Sequence, residues 1–229
     1  MNKIIWKNVD STTIKGLLIS ELPPISKPKM RTQETTIDGI DGSIIEELGY
    51  ESYDKTINIG LTRDFDIDEV IKYFSGTGNV VFSNEPDKYY KATITDQIDY
   101  ERLLRFRTAS VRFRVQPFKY KVNEAPVTLT TTGKSVVNSG LEKSKPKMTI
   151  TGSGTIELMV NGETLFSYTF PEGETSVVID SEKQDAYLGA VLKNRNMNGE
   201  FPILNSGNNT IGWTGSVTKI VVEPNSRWL

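Results

Sequence analysis

The sequence predicts a mainly β protein with one α-helix, arranged as two bodies of which the first sends out a long hairpin arm. Three observations lead there. Short runs of β-branched and aromatic residues, punctuated by Gly, Asn, Asp and Pro, fill most of the 229 residues. Only residues 66–75 combine helical spacing with signals for both ends. After Val122, Asn123-Glu-Ala-Pro126 reads as a linker, and everything beyond it carries strand signals alone. The predicted boundary divides residues 1–122 from 123–229.

Residues 3–6 and 12–19 read as short strands around a turn at Asp10-Ser11. Pro23, Pro24 and Pro28 then make an extended connector with no free N–H at three positions. The arm follows, at about residues 31–61. Asp38-Gly39 and Asp41-Gly42 supply hairpin-turn chemistry, because Asp tolerates a left-handed backbone and Gly reaches positive φ without a Cβ clash. Its flanks make poor core material. Thr32, Gln33, Glu34, Thr35 and Thr36 precede the turn, and the apolar cluster after it is only Ile40, Ile44, Ile45 and Leu48. A hairpin with two largely polar faces is marginal alone and leaves unpaired edges. It reads either as an arm made stable by a neighbouring copy or as an ordinary meander within one domain.

Beyond the turn, Tyr53, Lys55, Ile57, Ile59 and Leu61 share one strand face. Asp66 caps the predicted helix, Glu69 stands at the reciprocal capping-box position, and Ile67, Val70, Ile71 and Phe74 form the buried stripe. Gly76 is expected to close it. Residues 79–83 and 88–94 read as a hairpin, and residues 100–116 as one longer β stretch. In that stretch Val111, Phe113 and Val115 face one way, and Arg112 and Arg114 the other. Arg105 and Arg107 share the parity of Val111, so a bulge is expected between them. Arg102, Arg105, Arg107, Arg112 and Arg114 read either as a phosphate-contacting stripe or as a solvated strand face countered by the acidic residues of the arm. The inward alternation of the aromatics favours the second. Downstream, residues 128–132, 135–137, 147–151, 155–160, 163–170, 176–179, 186–188, 210–213 and 217–222 make a sandwich-like series of short strands. Asn161-Gly162 is the strongest turn among them.

Composition removes whole classes of chemistry. Cys and His both count zero, which excludes disulfides, thiolate catalysis, Ser-His and Cys-His catalysis and His-ligated metals. With 27 basic against 29 acidic residues, nothing global points to nucleic acid or an anionic membrane. The first ten residues are too polar for a signal peptide, and no apolar run has the length of a membrane span, so the expected site of synthesis and folding is a cytoplasm.

The order and spacing of several motifs resemble one family. In the first half they are Thr36-Ile-Asp-Gly-Ile-Asp-Gly-Ser-Ile44, Tyr53 to Ile59, the capped helix with Val80-Val-Phe82 after it, and Phe113-Arg-Val-Gln-Pro-Phe118. In the second they are Asn138-Ser-Gly140 with Ser144-Lys-Pro146, Ile150-Thr-Gly-Ser-Gly154, Ile179-Asp180, Gly199-Glu-Phe-Pro202, Gly207-Asn-Asn-Thr-Ile211 and Glu223-Pro-Asn-Ser-Arg227. Together they resemble the distal tail proteins (Dit) of long-tailed siphovirus phages infecting Gram-positive bacteria. The resemblance implies a ring-forming N-terminal domain whose arm wraps the next subunit, followed by a galectin-like β-sandwich. It implies a virion structural protein, a homo-hexameric hub of the tail tip or baseplate serving host adsorption. The implied partners are the tail tube protein, the tail-associated lysin or tip protein and the receptor-binding protein, with DNA passing through the channel without specific binding. No cofactor and no membrane enter. The implied intersubunit anchors are Ile37, Ile40, Ile44, Ile45 and Leu48, with Asp38, Gly39, Asp41 and Gly42 setting the turn. Production in the host bacterial cytoplasm is expected.

One departure bears on sugar binding. True galectins use a His, Asn and Arg grouping near a Trp; this chain has Asn208, Arg227 and Trp213 but no His. Trp213 is expected in or beside the core. A carbohydrate-binding module for host cell-wall polymers is the alternative, and an exposed row among Tyr168, Phe170, Tyr187, Phe201 and Trp213 would favour it. A carboxylate-only glycosidase has no positive signal. The acidic run Asp64, Asp66, Asp68 and Glu69 lacks the central Gly of a calcium loop. Asp180 with Glu182 or Asp185 reads as solvated turn residues, and Gly152-Ser-Gly154 lies between strands instead of before a helix.

Overall fold

In the computed structural model, which describes residues 1–39 and 41–229, the chain divides into two units, Met1–Val122 with Leu229 and Asn123–Trp228. In chain order the first unit carries β1 (Ile4–Trp6), β2 (Val9–Asp10), β3 (Leu17–Glu21), β4 (Met30–Thr35), β5 (Ile44–Tyr50) and β6 (Tyr53–Leu61). These are followed by α1 (Ile67–Tyr73), β7 (Thr77–Phe82), β8 (Lys88–Thr93), α2 (Tyr100–Phe106) and β9 (Thr108–Lys121). Except for β4 and β5, its strands join in one sheet in the order β2-β1-β7-β8-β9-β6-β3.

Alternation along β9 builds the core of this unit. Val111, Phe113 and Val115 are fully buried, as their period of two requires. Phe113 meets Trp6, Phe82 and Phe74 edge-on at centroid distances of 5.2, 5.8 and 6.5 Å. That is the geometry the ring quadrupoles favour. The opposite face of β9 is solvated and carries ion pairs. Arg114 meets Asp54, inside the span predicted as the arm, at 3.1 Å across the β6–β9 ladder, and Arg112 meets Asp96, outside that span, at 3.0 Å.

Two sequence expectations fail upstream of β9. Residues 100–106 are helix, not strand, so Arg102 and Arg105 lie on α2 and no bulge separates them from Val111. Asp99 accepts from the Arg102 N–H to cap α2, Leu103 is its buried anchor, and Arg107 ends it at φ 60°. At the N-terminus the turn is Lys7-Asn8, at φ 50° and 65°, and Asp10 instead caps a short 3-10 turn over Ser11–Thr13.

In α1 the Asp66 carboxylate accepts from the N–H groups of Asp68 and Glu69, as expected. Glu69 does not reciprocate; it accepts from the N–H of Lys15, tying the helix to the chain before β3. The buried side is Val70, Tyr73 and Phe74, while Ile71 is exposed. Gly76 lies two residues past the C-cap Phe74, at φ 76°. Asp66→Ala is expected to lower stability by about 1 kcal/mol through loss of the cap, read as a shift in the denaturant midpoint.

The second unit carries β10 (Val127–Leu129), β11 (Lys134–Asn138), β12 (Lys147–Val160), β13 (Glu163–Thr169), β14 (Ser176–Asp180), β15 (Asp185–Leu188), β16 (Val191–Leu192), β17 (Met197–Gly199) and β18 (Gly207–Glu223). Two pairs of strands expected to be separate are single long ones, β12 and β18, paired along most of their length. Both bend at the same place. The register shifts around Gly152 to Glu157, opposite Thr214 to Val217. A Cβ on Gly152 would stand 2.4 Å from the Ser216 carbonyl oxygen, so only glycine lets the two backbones approach at the bend. On one side of it β12 pairs with β14 and β18 with β10; on the other β12 pairs with β13 and β18 with β11. The sheet thus folds over a core that includes Met148, Ile150, Leu158, Phe166 and Ile220. Asn161 and Gly162 make the predicted turn, at φ 54° and 87°.

Candidate interface arm

The strands β4 and β5 form a two-stranded sheet of their own, and among the described residues neither outer edge pairs with another strand. The arm is shorter than expected. It ends at Tyr50, because Tyr53–Leu61 is the body strand β6, paired with β3 and β9. Register pairs Thr35 with Ile44, Glu34 with Ile45, Gln33 with Glu46 and Thr32 with Glu47. Cross-strand partners share a face, so Glu34, Ile45, Glu47 and Thr32 point one way, and Thr35, Ile44, Gln33, Glu46 and Leu48 the other. Apolar side chains therefore stand on both faces. Ile44 and Ile45 are 60% and 63% exposed, Leu48 is 47% and Ile37 is 44%.

Of the predicted anchors, Ile37, Ile44, Ile45 and Leu48 thus lie together on the arm, free of their own body; Ile40 lies outside the described residues. Asp38 and Asp41 are exposed at the tip, and Gly39 and Gly42 take φ 86° and 91°, as turn residues should. The Ser43 hydroxyl donates to Glu34 at 2.5 Å and closes the tip. Residues 30–50 carry five carboxylates, Glu34, Asp38, Asp41, Glu46 and Glu47, against the single cation Arg31. None of these five forms an ion pair among the described residues.

Sequence reading did not find what holds the arm's base. The register slips between Met30 and Thr32, with Gly49 at φ 94° as the extra residue. Such a bulge sharpens the twist of an edge. The Arg31 guanidinium donates to the Leu48 carbonyl there, at 2.9 Å. Below the bulge the Glu51 N–H donates to the Lys29 carbonyl, and Tyr50 packs edge-on against Phe118 at 5.9 Å. The proline connector is tied down in the same way. Lys55 Nζ donates to the Pro24 carbonyl and Asn84 Nδ2 to the Pro23 carbonyl, both at 2.9 Å.

Lys55 sits on the inward face of β6, 2% exposed, with its ammonium 4.9 Å over the Tyr90 ring. Burial pushes its pKa down, against the pull of the Glu85 carboxylate. Glu85 accepts from Lys119 Nζ at 2.7 Å and from the Tyr90 hydroxyl at 2.5 Å. Burial alone would raise its carboxyl, but Lys119, Tyr90 and Lys55 outweigh that and hold it below the ordinary carboxylate range. Burial, with Glu85 adding to it, pushes the Tyr90 hydroxyl up. The root is therefore tied down by many partners, whereas among the described residues the tip is held only by the Ser43–Glu34 hydrogen bond.

Among the described residues no three carboxylates cluster as metal ligands, and no helix is long and apolar enough to cross a membrane. Asp180 is not solvated as expected: it ends β14, is 6% exposed and accepts from the N–H groups of Glu182 and Lys183 in the turn that follows. The aromatic row that sugar binding would need does not form: Tyr168 and Phe170 are buried, and Phe201 and Trp213 pack against the core of their unit.

No family model and no curated sequence matches the chain. Among solved structures it is similar to the SPP1 Dit (gp 19.1) protein, described as a paradigm of the hub adsorption apparatus in phages infecting Gram-positive bacteria. The TM-score is 0.72 over 100% of both chains, at 16% identity. It also aligns with a chain of the phage P2 baseplate in its activated conformation with Ca, at TM-score 0.50 and 10% identity, over 97% of this chain and 98% of that one. The chain thus has the two-part β fold of the SPP1 Dit protein.

Proposed function

We propose that the chain is a structural subunit of a phage tail tip, a hub that joins the tail tube protein to the tip protein or tail-associated lysin and to the receptor-binding protein. Six copies close into a ring, each arm lying on the next copy, and the central channel lets DNA pass without specific binding. The subunit is made in the cytoplasm of the host bacterium and carried in the virion. Catalysis has no place in this reading, because a chain without Cys or His lacks the usual near-neutral nucleophile and base.

The observation that carries the proposal is the arm: a hairpin with apolar residues on both faces, two unpaired edges and a rigid root. Such an element gains stability by adding to a neighbour's surface. A head-to-tail contact between identical chains closes into a ring when the rotation allows. The fold shared with the SPP1 Dit protein supports the same role.

Light scattering with negative-stain imaging tests it. The expected particle is a six-fold ring of about 154 kDa, six times the 25.6 kDa chain. A monomer at every concentration, alone and with the adjacent tail tube protein, overturns the proposal.

A further inference from the structure

The helix missed in the sequence has a face that its own unit leaves uncovered. Leu103 turns inward and is fully buried. On the side of the exposed Arg102 and Arg105 stands Phe106, 62% exposed, while Leu104, 43% exposed, lies two positions before it on the other flank of the helix. The Arg105 guanidinium stands 5.3 Å over the Phe106 ring, and that of Arg107 4.7 Å over Phe65. None of the three forms an ion pair among the described residues. Asp99 is spent on the helix cap, which leaves Glu101 as the local acid. A shallow hollow of about 420 Å³ opens between Asp99, Glu101, Arg102, Arg105 and Phe106.

Two surfaces of this chain therefore carry opposite, uncompensated charge around exposed apolar side chains. Residues 99–107 have three arginines against two carboxylates, and residues 30–50 have five carboxylates against one arginine. On the arm the matching face is the one where Glu34 and Glu47 flank Ile45. Arginine and aromatic side chains around an apolar centre are the usual composition of binding hot spots.

We infer that the outer face of α2 is the seat of the arm of a second copy, with Ile45 set against Phe106 and with Glu34 and Glu47 meeting Arg102 and Arg105. This rests on the ring reading and deepens it by naming the acceptor surface. The seat supplies what each surface lacks: cover for the apolar groups and counter-charges for both sets of ions. Charge pairing of this kind fixes register and excludes wrong partners.

The chain has no Cys, so cross-linking is specific by construction. Phe106→Cys copies mixed with Ile45→Cys copies and a short bis-maleimide should give a covalent dimer that neither variant gives alone. Arg102→Glu with Arg105→Glu should weaken assembly by about tenfold or more, as should Glu34→Arg with Glu47→Arg. Combining the two sets should restore it. All four positions are exposed, and circular dichroism melting of each variant checks that the body stays folded. Assembly that needs the arm yet ignores both reversals and gives no mixed dimer overturns this inference and leaves the ring standing. A wild type that never assembles removes both. Unchanged assembly with lost retention of single-stranded DNA assigns the arginines to nucleic acid instead and overturns it too.

Discussion

Glu85→Gln is expected to cost about 3–5 kcal/mol of folding stability, the range for a buried ion pair that loses one partner. The carboxylate serves two ammonium groups. It meets Lys119 directly at 2.7 Å, and its charge favours the ammonium of Lys55. Lys119 is 7% exposed and Lys55 2%, so glutamine leaves two desolvated cations with no anion beside them. The loss is large against the roughly 5–15 kcal/mol that holds a typical domain together. Removing one cation should then help. Lys55→Met in the Glu85→Gln background is expected to recover part of the loss, although in the wild type it gives up the hydrogen bond to Pro24.

The pH dependence should have one sign in two windows: stability rises with pH across both titrations. The folded Glu85 carboxyl is held below its ordinary value of 4.5, so its contribution is complete above that pH and is lost as pH falls through the folded value. The folded Lys55 ammonium is also lowered, so in its window too the unfolded chain binds more protons. Its penalty is relieved as pH rises through the folded value toward 10.5. Urea titrations of the wild type should therefore show an acid-side loss that Glu85→Gln lacks, while the variant should gain stability on the alkaline side. Equal stability of wild type and variant at pH 7 would show that the three groups are not coupled as the geometry requires.

How much of this was legible depends on where the signal sits. The arm's turn was readable because Asp-Gly pairs have few other uses, and the α1 cap because Asp66 precedes a helical stripe. Lys55 was visibly out of place, an ammonium on the parity of Ile57 and Ile59, but its counter-ion lies thirty positions on in a turn that alternation says nothing about. The α2 segment was misread because Arg105-Phe-Arg107 mimics the period of a strand. Asp99 followed by Glu101 was the signal to heed, a cap and an acidic first turn. The long strands β12 and β18 were split because Gly152 and Gly215 look like turn residues. They are instead the places where two backbones come too close for a side chain.

Replacing residues 32–48 by Asn-Gly should convert the assembly to a monomer while the body melts as before. The two outcomes separate because of where the arm's contacts are. Its anchors are 44–63% exposed in the single chain, so folding gains almost nothing from them. Surface changes of this kind usually shift stability by about 0.5 kcal/mol or less. In an assembly the same side chains become buried. Covering an Ile or Leu contributes roughly 1.5–3 kcal/mol, so Ile44→Ser, Ile45→Ser and Leu48→Ser should each weaken association by about tenfold or more. The root must stay intact for the comparison to mean anything, which is why Tyr50 is kept: it holds the contact with Phe118. Should the shortened chain still form rings of the original mass, assembly lies in the body's own edges, and the arm is an ornament on a contact made elsewhere. Should the body instead lose its cooperative transition, the arm belongs to the fold after all, and its exposed isoleucines would need a partner within the same chain.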